Sequence, residues 1–119
     1  MPESKPWFLR VSYPFFKTPK PLYSEEVYRS LSSDAKVLYS LLLDRSSLSY
    51  KNREKWSLPN GTVYVIFTQA EICQKLGCGH DKAAKLMKEL ELYHLIRRFY
   101  GKAGSPAKIV VLPFMSTDP

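Results

Sequence analysis

Residues 68–90, TQAEICQKLGCGHDKAAKLMKEL, have the pattern of two short helices joined by a tight turn. Thr68 and Glu71 form a T-x-x-E capping box, which predicts the start of the first helix. Gly77 stands where a left-handed residue ends a helix, and Gly79 is permissive just before the next one. The turn is therefore about three residues long, as a helix-turn-helix requires. The pattern alone leaves open whether this unit reads DNA or only packs a core.

The predicted second helix, His80 to Leu92, has one apolar side and one charged side. At about 100° per residue, the apolar side holds Ala83, Leu86, Met87 and Leu90. The opposite side holds Asp81, Lys82, Lys85, Lys88 and Glu89. A recognition helix needs this division, with long donors outward in its N-terminal half. Lys82 and Lys85 are the best candidates for base edges or phosphates, and His80 lies where the helix dipole favours a phosphate. Ordinary solvation of an exposed helix face is the competing interpretation.

Three β-type segments flank this unit. TVYVIF, at 62–67, follows an Asn-Gly turn signal, and LIRRFY (95–100) and KIVVL (108–112) read as two strands around a flexible tip, GKAGSPA. Helices, a β segment, two further helices and a hairpin form, in this order, a winged helix. The sequence therefore predicts an α+β winged helix-turn-helix, a single domain with a small antiparallel sheet in which 62–67 pairs with the hairpin.

The predicted hairpin, or wing, carries further candidate DNA contacts. Lys102 lies at the tip and Lys108 on the return strand, where such residues contact phosphate or enter the minor groove. Arg97 and Arg98 are adjacent, so strand alternation sends them to opposite faces. We expect at most one of them to reach DNA, and the other to lie on the outer face or to pair with an acid.

The N-terminal half is predicted to contain an arm and a central helix. Five prolines interrupt residues 1–22, and the arm's aromatic residues, Trp7, Phe8, Phe15 and Phe16, are expected to pack on the domain or on a second subunit. The winged helix is expected over 23–113 and a short tail over 114–119. Ser24 is predicted to cap a short helix, EEVYRSL, and Ser32 or Ser33 to cap DAKVLYSLLLDRSSL.

The central helix has two apolar stripes, whereas a surface helix needs only one. The first holds Ala35, Leu38, Tyr39 and Leu42, and the second holds Val37, Leu41 and Leu48. Two stripes indicate that the helix is central, or that its second face meets the arm or a partner subunit.

Charge favours a polyanion partner. The net charge is +7, and residues 75–108 carry eight basic and three acidic residues, +5 of that total. The alternative interpretation is that these basic residues form an ordinary solvated surface. No apolar run approaches the ~20 residues that span a bilayer, and the first residues do not form a signal peptide. We therefore expect a cytoplasmic protein whose Cys73 and Cys78 are reduced.

The residues give no sign of catalysis or of a cofactor. Cys73, Cys78, His80 and His94 match no strong structural-zinc spacing, so we expect no metal site. No nucleophile has a base and an orienting group in the pattern, and no phosphate-cradling glycine loop is present. An enzyme is not expected.

Three stretches together resemble the N-terminal domain of plasmid replication initiators of the RepA type from Gram-positive bacteria. They are FFKTPKPLYSEEVYRSLSSDAKVLYSLLLDRSSLSYKN, NGTVYVIFT and EICQKLGCGHDKAAKLMKELELYHLIRR, and they cover roughly residues 15–98. The first is the most specific, since LSSDAKVLYSLLLDR followed by S-x-x-N is not generic winged-helix sequence. The resemblance implies a winged-helix homodimer that binds double-stranded DNA at repeated sites in a plasmid origin, with the GHDKAAKLMK helix in contact with DNA.

The resemblance also implies host replication machinery, including primase, as partners of a separate C-terminal domain. This sequence stops a few residues after the wing, so we expect a fragment of a longer initiator. If 119 residues are the natural length, the expectation reduces to DNA binding. Two alternatives remain open: a one-domain winged-helix transcriptional regulator on a palindromic operator, and a winged-helix protein-interaction module that never reads bases.

Overall fold

The computed structural model describes residues 6–7 and 16–116. The second range forms a single winged helix-like domain, as predicted. Its elements, in chain order, are α1 (Pro21–Ser24), a 3-10 turn (Glu26–Tyr28), α2 (Ser33–Lys51), α3 (Gln69–Leu76), α4 (His80–Leu92), β1 (Ile96–Phe99) and β2 (Lys108–Val111). None of the helices in the described part of the chain is long and apolar enough to cross a membrane.

Local capping signals set the ends of the long helices. Ser32 caps α2, since its hydroxyl accepts a hydrogen bond from the Ala35 N–H at 3.2 Å. Thr68 and Glu71 form the predicted capping box at the start of α3, and Gly77 ends that helix with φ of 65°. The bounds of α4 are those predicted from the sequence. Helix α2 continues to Lys51, three residues beyond the predicted end.

The predicted helix EEVYRSL is wrong. The chain instead forms α1 with Pro21 at its start, and then the separate 3-10 turn. Ser24 ends α1 rather than capping a later helix, and its hydroxyl donates back to the Lys20 carbonyl at 3.2 Å. Proline suits a first helical turn because its fixed φ is already helical and its missing N–H is not needed there. Helix formation therefore begins four residues earlier than the acidic pair suggested.

The two strands of the hairpin pair as predicted, but the third predicted strand, 62–67, contributes only a single bridge. β1 and β2 pair antiparallel, with Ile96 opposite Val111 and Phe99 opposite Lys108. The segment 62–67 is not a regular strand: it joins the hairpin through one isolated bridge, between Val65 and Ile109. The prediction that this segment pairs with the hairpin is thus confirmed, and the prediction of a full strand is wrong.

The core lies between α2, α4 and the inner face of the wing. All four residues of the first α2 stripe are fully buried: Ala35, Leu38, Tyr39 and Leu42. The Tyr39 hydroxyl donates to the Leu112 carbonyl at 2.6 Å, and burial raises the pKa of this phenol. In the second stripe Leu41 is half-buried, whereas Leu48 is 52% exposed. Helix α2 is therefore the central helix, with one end of its second face open.

The packed unit reaches beyond residues 23–113. Leu22 is fully buried in the core, and Phe114 packs edge-on against the Tyr39 ring. From the arm, the Thr18 hydroxyl accepts a hydrogen bond from buried Ser40 of α2 at 2.7 Å. Of the arm's aromatic residues, Trp7 is 67% and Phe16 39% exposed, whereas Phe8 and Phe15 lie outside the described residues.

Candidate nucleic-acid interface

Helix α4 is anchored by its apolar side and presents its charged side, as predicted. The four inward residues are buried: Ala83, Leu86, Met87 and Leu90. Gly79 precedes the helix and offers no side chain to cap it. The first N–H groups of α4 therefore point outward with no side-chain acceptor of their own, an arrangement that suits a phosphate oxygen. His80, the first residue of the helix, is exposed beside them.

The exposed face of α4 carries three lysines and one aspartate: Asp81, Lys82, Lys85 and Lys88. This face borders an open cleft of about 510 Å³ between α4 and the start of α2, whose lining includes Asp81, Lys82 and Lys85. Long donors on such a face can reach base edges in a major groove or phosphates at its rim.

Lys82 is held by an acid that the sequence analysis did not connect with it. Its ammonium lies 2.5 Å from a carboxylate oxygen of Asp34, in the first turn of α2. The hydrogen bond and the charge of Asp34 raise the pKa of Lys82. The side chains are 54% and 50% exposed, so the pair is solvated and lies on the same surface as the other lysines.

Glu89 does not belong to the outward face, contrary to the sequence prediction. It is half-buried, and its carboxylate accepts hydrogen bonds from the Ser32 N–H at 2.6 Å and from the Ser32 hydroxyl at 2.8 Å. These bonds join α4 to the residue that caps α2. Glu89 therefore fixes the position of α4 on the domain and is not available to DNA.

The two wing arginines point to opposite faces, as strand alternation predicted. Arg98 makes a bidentate pair with Glu91 of α4, at 2.6 and 3.0 Å, and its side chain is only 19% exposed. The hydrogen bonds from Arg98 lower the pKa of Glu91. Arg97 is exposed on the outer face, with its guanidinium 6.0 Å from the Phe99 ring centroid. Of the two, Arg97 is the one left accessible.

The two wing lysines occupy different places. Lys102 is exposed in the turn between β1 and β2, where its carbonyl accepts from the Ser105 N–H at 3.0 Å. Lys108 lies on the outer face of the sheet with its ammonium 4.9 Å from the Tyr64 ring centroid. Lys102 thus lies at the exposed tip of the wing, whereas Lys108 lies on the same outer face as Arg97.

A second basic segment, which the sequence patterns did not single out, lies at the end of α2. The end of α2 and the turns after it carry Lys51, Arg53 and Lys55, all exposed, and Arg53 stacks over the Tyr50 ring at 4.4 Å. The Trp56 ring contacts Tyr64 edge-on, and Lys108 of the wing lies over the same Tyr64 ring. The cluster is visible in the sequence as K-N-R-E-K, but no local pattern predicts that it lies near the wing.

The cysteines of the turn lie near the core. Cys73 and Cys78 are both free, half-buried and packed against the core cluster, and burial is the main cause that raises the pKa of Cys73. Within the described residues, no three His, Cys, Asp or Glu side chains lie together in a way that could hold a metal ion.

Comparison with known families and structures gives consistent matches. Residues 14–118 match the family model RepA_N, described as the N-terminus of replication initiator protein A. No curated protein matches the chain.

Three solved structures share the fold over most of the chain. One, described as the N-terminal domain of a DNA-binding protein, has a TM-score of 0.76 at 24% identity and covers 99% of this chain and 88% of its own. A Rep–DNA complex has a TM-score of 0.76 at 25% identity, over 98% of this chain and 88% of its own. A structure described as an MDR initiator has a TM-score of 0.69 at 33% identity, over 87% and 81%.

Proposed function

Because the chain belongs to the RepA_N family of replication initiator N-terminal domains, we propose that it binds double-stranded DNA in the initiation of plasmid replication. The sites are repeated sequences in the plasmid origin. Helix α4 enters the major groove, and the wing contacts the adjacent backbone. The domain acts by binding and not by catalysis, and contacts with host replication proteins belong to a separate domain of the family.

One observation carries this proposal: the division of α4 into a buried apolar side and an exposed side with three lysines. The buried side fixes the helix on the core, so the lysines project from a rigid support. An uncapped N-terminus and the exposed wing tip at Lys102 lie on the same unit. The neighbour described as a Rep–DNA complex shares this fold over nearly the whole chain, which supports DNA as the ligand.

Within the exposed face, we assign base reading to Lys85 and Lys82, in the N-terminal half of α4. Lys88, one turn further along, is assigned to phosphate, together with Lys102 of the wing. Asp81 and His80 lie at the helix start, where an acid can accept from a cytosine amino group and a ring N–H can meet a phosphate. Arg98 is engaged by Glu91, so we assign the outer-face contacts to Arg97 and Lys108.

We further propose that the protein binds as a homodimer that uses the N-terminal arm. Phe16 and Leu48 are large apolar side chains that the single chain leaves 39% and 52% exposed. Phe16 and Leu43 line one surface depression between the arm and α2, which a second subunit could fill. Repeated sites in an origin suit such a dimer, because each copy can occupy a neighbouring site.

The experiment that tests this function is selection of bound fragments from a random double-stranded DNA library, at moderate and at high salt. We expect enrichment of a short defined site that binds better in tandem direct copies. A single palindrome would favour a transcriptional regulator. Absence of any enriched site, with binding insensitive to salt, would refute DNA reading and leave a protein partner, because phosphate contacts make affinity fall steeply with salt.

A further inference from the structure

The ion pair between Asp34 and Lys82 links the surface proposed to read DNA to the start of α2. Asp34 is the second residue of α2, and Lys82 is the third of α4. Glu89 lies about two turns beyond Lys82 in α4, and the two hydrogen bonds from Ser32 to Glu89 hold this part of α4 against the start of α2. The distance between Asp34 and Lys82 is therefore set by the fold, and not only by the flexibility of the two side chains.

Asp34 is the carboxylate that engages Lys82. Glu89 lines the same cleft, but both of its oxygens accept hydrogen bonds from Ser32. Asp81 precedes Lys82 directly in α4, and neighbouring residues of a helix do not face each other. Lys85 adds a second positive charge to the cleft. Lys82 therefore has a dedicated internal counter-ion, whereas no ion pair is found for Lys85 or Lys88 within residues 16–116.

We propose that Asp34 competes with DNA for Lys82 and thereby lowers the affinity of the domain. This inference rests on the proposed function. In the free protein the Lys82 ammonium is paired with Asp34. A phosphate or base acceptor that approaches the ammonium must displace that contact or lie beside a carboxylate that is half-exposed on the same surface. Either route opposes binding, since the DNA and the carboxylate carry the same sign of charge.

The size of the effect follows from the exposure of the pair. Solvated ion pairs contribute little, and the measured range corresponds to a change of about 1.5- to 5-fold in an equilibrium constant. We expect Asp34→Asn, which keeps the shape of the side chain and removes its charge, to tighten DNA binding by up to about fivefold at low salt. The gain should shrink as salt rises, because exposed charges are then screened.

The test is a cycle of four proteins: the wild type, Asp34→Asn, Lys82→Ala and the double variant. Each is titrated by fluorescence anisotropy with a labelled duplex recovered from the library selection, and with a random duplex pool. Glu26→Gln is the matched control. It makes the same charge change on an exposed residue of the 3-10 turn, outside the cleft and outside the depression proposed for the second subunit.

The expected result is a gain for Asp34→Asn that exceeds the gain for Glu26→Gln and is absent in the Lys82→Ala background. An equal gain in that background would overturn the inference, because the charge of Asp34 would then act on DNA without Lys82. Weaker binding by Asp34→Asn would also overturn it, since Asp34 would then position Lys82 for contact.

Failure of the inference can be told apart from failure of the proposed function. If Lys82→Ala weakens binding but Asp34→Asn gives no gain, the competition fails and DNA contact by Lys82 stands. If the wild type binds neither the selected duplex nor the random pool, the proposed function itself fails. Thermal unfolding followed by circular dichroism checks that all five proteins are folded at the temperature of the titrations.

Discussion

The contact between Glu89 and Ser32 should be a major determinant of how firmly α4 is held. We predict that Glu89→Ala lowers the free energy of unfolding by about 1.5 kcal/mol. Two hydrogen bonds to an ionised group are lost, each worth about 1.5–3 kcal/mol when buried, and partial exposure reduces their sum. The carboxylate also lies at the N-terminus of α2, where a negative charge stabilises the helix by a few tenths of a kcal/mol or more.

Urea unfolding followed by circular dichroism measures this effect. For a small domain, unfolding free energy falls by about 1–3 kcal/mol per molar urea, so the midpoint should drop by about 1 M. Lys85→Ala is the matched control, an exposed change on the same helix that should stay within about 0.5 kcal/mol. Glu89→Gln should lie between the two, because the amide keeps an acceptor and loses the charge.

A small effect of Glu89→Ala would refute this reasoning. If the midpoint of Glu89→Ala moves no further than that of Lys85→Ala, the link between α4 and α2 contributes nothing measurable. A double-mutant cycle with Ser32→Ala gives a second check, since partners in direct contact should show a coupling of about 0.5 kcal/mol or more. Strict additivity of the two changes would contradict the contact seen in the structure.

Four further outcomes are expected. Lys85→Ala should weaken specific DNA binding by about 1–3 kcal/mol. Lys102→Ala should weaken binding to all DNA sequences alike and lower the slope of affinity against salt by about one unit. Competition titrations at several salt concentrations distinguish the two effects. Arg98 lowers the pKa of Glu91, so the pair stabilises the fold above the pKa of an unfolded glutamate, about 4.3, and this stability is lost as pH falls through the lower folded value. Between about pH 6 and 3, the free energy of unfolding should therefore fall more in the wild type than in Glu91→Gln. A variant that begins at Leu22 should sediment as a monomer or aggregate, and a clean dimer would exclude the arm from the interface.

Local sequence signals determined the parts of this protein on which the proposed DNA binding depends most directly. The capping box at Thr68, the left-handed Gly77 and the bounds of α4 were all predictable, because each depends on residues within one or two helical turns. The apolar period of α4 likewise fixed which side is buried. The hairpin strands were predicted to within a residue or two for the same reason: alternation and turn residues lie close together in the chain.

Only the tertiary structure decided what the charged residues contact. Glu89 has the helical phase of an outward residue, yet Ser32 draws it inward from a distant part of the chain. Lys82 and Asp34 meet only because α4 packs on the start of α2. Segment 62–67 has strand-like composition, but strand formation needs a partner along its length, and the hairpin offers it one bridge at Val65. Side chains that reach across elements respond to packing geometry, which no local pattern encodes.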